Sequence, residues 1–323
     1  MSAFHIIEDE LEFQTSDGTV DCVYFHVEGA RRPAIINLPD GIGLRESQRD
    51  MARRLAREGY NVLLPNIYYR TSRYPFFATK PDFSDEATVV RFGELTRPLT
   101  PDAVVRDGSA YIDFLATRPE VDGGGMGIVG YCLTGAFALR IAASQPARIV
   151  AAAAFHGGRL FLDDASSPHL VLADVKARLY FGHARDDRGM PAEAIAKFEE
   201  ALRAWGGTFE SETYDARHGW TVPDSAAYDE PEAERAFAKL REYLNGARQL
   251  DAPLFDCSHH NRERRHLARA FTIFGFPLTS SRILSLKRAG TFMRAAFGGF
   301  ISDPCSTSSP ATLSRAISAP LAS

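Results

Sequence analysis

The stretch MGIVGYCLTGAFALRIAAS (126–144) decides how this chain is read. Its first residues, Met126–Val129, form a short apolar run that suits a buried strand. Leu133–Ser144 suits a helix. Between them stands Gly130-Tyr131-Cys132-Leu133-Thr134-Gly135. This is the pattern of a nucleophile elbow, a reactive side chain on a sharp strand-to-helix turn, with glycines where Cβ atoms would collide. Cysteine holds the nucleophile's place. The second glycine is displaced by one, to +3, and the small Thr134 takes +2. A thiolate at Cys132 would lie at a helix N-terminus, where the dipole lowers its pKa. The Leu133 N–H would serve as an oxyanion donor. A buried structural cysteine also fits the hexapeptide taken alone.

The partners of such an elbow follow it in the chain, acid first and histidine last. Arg178–Phe181 reads as a strand and leads into Gly182-His183-Ala184-Arg185-Asp186-Asp187. Acids at the carboxyl ends of strands belong to the face where α/β sites form. Asp187 is preferred over Asp186, because it stands four residues before the helix-opening Pro191. Thr208–Tyr214 reads as the next strand and delivers His218-Gly219-Trp220. His218 would hold the thiolate as an ion pair, with Asp187 orienting its ring. Upstream, the strand Ala34–Leu38 ends in Pro39-Asp40-Gly41-Ile42-Gly43. Gly41 N–H is the candidate second oxyanion donor. Asp40 either faces the thiol or caps a turn. His156-Gly157-Gly158 after the strand Ile149–Phe155 touches substrate or makes a turn, and Tyr131 lines the pocket or packs in the core. No serine sits at an elbow, since Ser109 and Ser144 fall within helices.

Around this centre the chain alternates strand and helix. A hairpin opens it, Leu11–Gln14 and Val20–Val27 around Ser16-Asp17-Gly18. Helices are expected at Ser47–Glu58, Thr100–Arg118, Pro191–Trp205 and Pro231–Leu244, with a strand at Val62–Leu64. The alternation from residue 34 to residue 244 means βαβ units, a mostly parallel sheet and helices on both faces. Asn66–Leu99 is a long aromatic segment, read as a loop that walls a pocket.

The chain has 323 residues, 45% hydrophobic and 24% charged, with a formal net charge of −4. That charge is unevenly shared. Met1–Gly246 carries 27 Lys+Arg and 37 Asp+Glu, a net −10, and 247–323 carries 10 and 4, a net +6. An acidic body argues against a nucleic-acid partner. No apolar run reaches the roughly 18 residues of a membrane span, and the N-terminus does not read as a secretory signal. The four cysteines, Cys22, Cys132, Cys257 and Cys305, form no CxxC pair, which suits a reducing, cytoplasmic setting. No metal site and no cofactor are expected. Residues 1–246 are expected to form one domain, working as a monomer. The Arg-rich, then Ser/Ala-rich tail 247–323 is expected to be disordered or loosely docked.

The set PDGIG (39–43), MARRLAREGYNVLLPNIYYR (51–70), GYCLTG (130–135), RDDRGMP (185–191) and HGW (218–220) resembles the dienelactone hydrolase family of α/β-hydrolases. The likeness spans about 30–245 and is specific in order and spacing. It implies an α/β-hydrolase fold, a Cys132–Asp187–His218 triad, and hydrolysis of small esters or lactones through a thioester. It implies that the acid at Asp40, a Glu elsewhere in the family, influences the thiol. It also implies that Arg70 holds a substrate carboxylate. The family's second carboxylate-binding arginine is Val222 here, which leaves half of that clamp missing and argues against dienelactone itself. A non-catalytic or redox-sensing thiol protein on the same fold is the alternative.

Overall fold

The structure is a computed structural model, and it describes residues 5–250. Its frame is an eight-stranded sheet in the order β1-β2-β4-β3-β5-β6-β7-β8. The strands are β1 (Ile6–Thr15), β2 (Gly18–Val27), β3 (Ala34–Leu38), β4 (Asn61–Pro65), β5 (Met126–Tyr131), β6 (Ile149–Phe155), β7 (Arg178–Asp186) and β8 (Phe209–Arg217). β1 and β2 form the antiparallel hairpin, β2 pairs antiparallel with β4, and all later pairs are parallel. Thr15 pairs with Gly18, so Ser16 and Asp17 make a two-residue turn, and Gly18 enters β2 at φ +138°. The central runs AIINL and NVLLP are buried at every position, as strands covered on both faces must be.

The helices are α1 (Glu46–Arg57), α2 (Glu86–Thr96), α3 (Pro101–Ala116), α4 (Leu133–Ser144), α5 (Ala192–Trp205) and α6 (Glu230–Leu250). Strand alternation sets their sides. On β7, Tyr180 meets Tyr243 of α6, and its neighbour Phe181 meets Phe198 of α5. On β5, Gly127 leaves room for Leu244 of α6, while Gly130 faces the first turn of α4. α1 lies with α6, since the Arg54 guanidinium sits 3.6 Å over the Phe237 ring. α3 lies with α4, where the missing Cβ of Gly108 admits Ile141. The start of α3 is written locally: Thr100 accepts the Ala103 N–H, and Pro101 occupies the first turn.

Three expectations change. The 66–99 segment is not a loop throughout, because α2 occupies its second half, capped by Asp85 accepting from Thr88 N–H. A short 3-10 helix, Pro168–Asp174, lies between β6 and β7. Helix α6 runs on to Leu250, past the helix end expected at Leu244. The rest of the tail lies outside the described residues, as do Cys257 and Cys305. Among the described residues no helix is long and apolar enough to cross a membrane.

Candidate active site

Cys132 stands between β5 and α4 with φ +56° and ψ −119°. A non-glycine residue held there costs on the order of 1–3 kcal/mol, so its surroundings must enforce it. The sequence supplies the enforcement. A Cβ on Gly130 would lie 2.2 Å from the Thr134 carbonyl oxygen, and one on Gly135 would lie 2.8 Å from Gly157 Cα. Both positions therefore need glycine, and the second one does its work from +3. Thr134 adds a part the sequence reading missed. Its buried Oγ1 accepts the Tyr131 N–H at 2.9 Å and donates to the Tyr131 carbonyl at 3.0 Å. The hydroxyl thus closes the turn that a glycine at +2 would leave open. The Cys132 N–H donates to Phe155 O at 3.1 Å, and its carbonyl accepts from Gly135 and Gly158.

The ends of β7 and β8 bring the partners. His218 Nδ1 bonds Asp187 Oδ2 at 2.7 Å, and the His218 backbone N–H donates to the carbonyl of Asp186 at 3.1 Å. Of the two adjacent acids, Asp187 holds the ring, and Asp187 is buried. Burial draws the His218 pKa down. Hydrogen bonds to Asp187 and Cys132, with the charges of both, outweigh that pull and raise it to about 10. Cys132, Asp187 and His218 line one open cavity of about 610 Å³, together with Leu133, Gly158, Phe92 of α2, and Arg159, Arg188 and Arg217.

The β3 loop flanks the elbow. A Cβ on Gly41 would lie 3.7 Å from Leu133 Cβ and 3.1 Å from the Phe92 ring, so Gly41 and Leu133 are neighbours. The Tyr68 hydroxyl donates to Gly41 O at 2.6 Å and fixes the loop. Burial raises the Tyr68 pKa, and the charges of Asp40 and Cys132 add to the shift. Asp40 is committed to Arg45. Its Oδ1 and Oδ2 accept from Arg45 at 2.7 and 2.9 Å, and Oδ1 also accepts the Ile42 N–H. Arg45 reaches on to Asp224 at 2.7 and 2.8 Å, joining this loop to the one after His218.

Two expected site residues stand elsewhere. Arg70 does not line the Cys132 cavity. Its guanidinium is held by Asp107 of α3 and by Asp17 of the hairpin turn, each within 2.8 Å. Two carboxylates already fill the fork that a substrate anion would need. The Tyr131 ring follows the alternation of β5 to the other face. There it stacks on Phe155 and lines a smaller cavity, about 120 Å³, against α1 and α6. Val222 is buried. Among the described residues no three His, Cys, Asp or Glu side chains converge as a metal site would need.

Comparison with known proteins agrees with this architecture. The model of the dienelactone hydrolase family matches residues 20–247. The carboxymethylenebutenolidase of Rhodococcus opacus is 28% identical over 224 residues, 66% of this chain and 83% of that protein. A Methylorubrum extorquens protein provisionally given the same name is 27% identical over 249 residues, 74% of this chain and 81% of that protein. Among solved structures, one provisionally named a dienelactone hydrolase, from Klebsiella pneumoniae, superposes with a TM-score of 0.67 at 23% identity. It covers 75% of this chain and 99% of its own. By the extent of the family match and the shape of the sheet, this chain belongs to the dienelactone hydrolase family and is a hydrolase of the α/β-hydrolase fold.

Proposed function

We propose that the protein hydrolyses small carboxylic esters or lactones with Cys132 as nucleophile, His218 as acid and base, and Asp187 as the orienter of His218. The observation that carries this reading is the 2.7 Å Asp187–His218 bond in the same cavity as Cys132. A thiolate beside a protonated His218 is the resting pair. The thiolate attacks the ester carbonyl carbon, and the carbonyl oxygen takes the negative charge. The N–H groups of Leu133 and Gly41 receive that oxyanion. Leu133 opens α4, where N–H groups lack intrahelical acceptors.

The tetrahedral adduct collapses. The C–O bond breaks, the leaving alkoxide takes the proton from His218, and a thioester remains on Cys132. Acylation removes the thiolate charge, one of the causes that hold the His218 pKa high. The imidazole is then free to act as a base. It accepts a proton from water as the water attacks the thioester, the C–S bond breaks, and the thiolate–imidazolium pair returns. Every group in this sequence comes from one chain, so a monomer suffices. A reducing compartment, the cytoplasm, keeps the thiol available.

The mouth of the cavity carries Arg159, Arg188 and Arg217. They favour an acyl or leaving group that bears a negative charge, in a place different from Arg70. The test is hydrolysis of p-nitrophenyl acetate by wild type and Cys132→Ala. Turnover by wild type and background rates in the variant support the reading. Equal rates in the two proteins contradict it.

A further inference from the structure

Behind His218 lies a second histidine that the mechanism above does not use. His156 follows β6 directly, at φ +39°, in the left-handed region that a histidine side chain rarely adopts. Its N–H donates to Gly182 O at 2.8 Å, which anchors the residue between β6 and β7. The side chain is 1% exposed. One ring nitrogen, Nε2, lies 2.8 Å from Thr221 Oγ1, and the other, Nδ1, is buried with no partner. The ring meets His218 at 5.0 Å between centroids, inclined by 64°, and Trp220 at 5.1 Å, inclined by 71°. Thr221 and Trp220 belong to the same loop as His218. The His156 ring therefore contacts the base and bonds the loop that carries it.

We propose that His156 is a positioning residue for His218. It ties the 218–221 loop to the end of β6 through Thr221, and its neutral ring is the wall that sets the tilt of the His218 imidazole between Asp187 and Cys132. Its backbone neighbours reinforce the link, because Phe155 O and Gly158 N–H, one residue before it and two after, both bond the Cys132 backbone. One short segment thus holds nucleophile and base in register. The titratable groups facing the ring are His218 from the loop after β8 and Tyr131 from the end of β5. No carboxylate is among them. Burial, and then the charge of His218, push the His156 pKa well below its usual value. A neutral ring here can pack against an imidazolium, whereas a second cation would repel it.

This inference rests on the hydrolase reading above. The test is the rate of Cys132 alkylation by iodoacetamide against pH, beside ester kinetics, for wild type, His156→Phe, His156→Gln and Thr221→Val. A misplaced His218 supports the thiolate less well, so the alkylation midpoint rises toward that of a free thiol, about 8.5. We expect His156→Phe to raise it, Thr221→Val to raise it less, and His156→Gln, which keeps a partner for Thr221, to restore part of it. Misplacement by about 1 Å costs up to about 100-fold in rate, so kcat should fall by about 10- to 100-fold in His156→Phe with KM little changed. If the variants lose thermal stability but keep the wild-type midpoint and kcat, His156 is only a packing residue and the inference is overturned. If wild type itself alkylates like a free thiol and turns over no ester, the hydrolase reading fails and takes this inference with it. Thr221→Val keeps the buried ring in place, so the test survives if His156→Phe does not fold.

Discussion

Two thiols in one sheet have opposite surroundings. Cys22 lies within β2, 3% exposed, with its Sγ–H donating to Leu11 O at 3.4 Å. Burial, helped by the charge of Asp21, pushes its pKa up to about 12. Cys132 stands at the carboxyl end of β5, on a strained turn, at the mouth of a helix, beside a histidine held at about 10. The residue type is the same. What differs is the place: mid-strand positions desolvate a thiol, and the strand-to-helix turn offers it a cation and backbone N–H groups. In the proposed mechanism, thiol chemistry is thus assigned by topology.

The largest effect expected from breaking this contrast is on turnover. Cys132→Ala should lower ester hydrolysis on the order of 10³-fold or more, while Cys22→Ala leaves kcat/KM within about twofold of wild type. Asp187→Asn, which preserves shape and changes which His218 tautomer is held, should cost on the order of 10²- to 10⁴-fold. Steady-state kinetics on a chromogenic ester checks both. Next in size is the elbow itself. Gly130→Ala places a methyl 2.2 Å from a backbone oxygen, and should destabilise by about 3 kcal/mol, read as a lower denaturant midpoint. The matching substitution at the half-buried Gly158, where nothing lies within 4 Å of an added Cβ, should leave that midpoint nearly unchanged.

The pH dependence sharpens the comparison further. The His218 pKa is raised from 6.5 to about 10 on folding. The stabilisation this gives is complete below 6.5, where the unfolded chain is protonated too. It declines above 6.5 and is gone above about 10, where both states are neutral. Thermal stability should therefore carry a component that fades across that window, and His218→Gln should remove it. Iodoacetamide near neutral pH should label Cys132 and spare Cys22, whose thiolate is scarce until about pH 12. The smallest effect is expected at Arg70. Arg70→Met should leave KM for small esters within about twofold, because the guanidinium is already committed to Asp17 and Asp107. Its loss should appear instead as lower stability, by up to about 3 kcal/mol, from the unpaired carboxylate of Asp107.

Local chemistry made much of this fold readable. Ala34–Leu38, Leu133–Ser144 and Ile149–Phe155 begin and end in the structure where the sequence puts them. Proline or polar residues stand at their borders, and the two strands are apolar runs but for Asn37. Helix α2 escaped notice because it buries little. Among its residues Leu95 is buried, while Val89 and Val90 are exposed, so it shows no clear apolar stripe. Its one local mark is the Asp85-to-Thr88 cap.

The site divides in the same way. That Cys132, Asp187 and His218 share one cavity was legible because each follows a strand, in the order that an elbow requires. Arg70 misled, because its partners Asp17 and Asp107 lie 53 and 37 residues away in sequence and no local pattern announces them. Arg45 and Tyr68 were passed over for the same reason, and His156 was read only as a substrate contact or a turn. Each acts through a contact with a distant loop: Asp224, Gly41 and Thr221 in turn.

The central claim is that Cys132 carries the acyl group. The most direct measurement is peptide mass spectrometry on protein mixed with a p-nitrophenyl ester and quenched in acid within the first turnovers. The account predicts an added acyl group on the Cys132 peptide, absent in Cys132→Ala and absent from the Cys22 peptide. Ester turnover with no acyl group on Cys132, or with the acyl group on another residue, would contradict it.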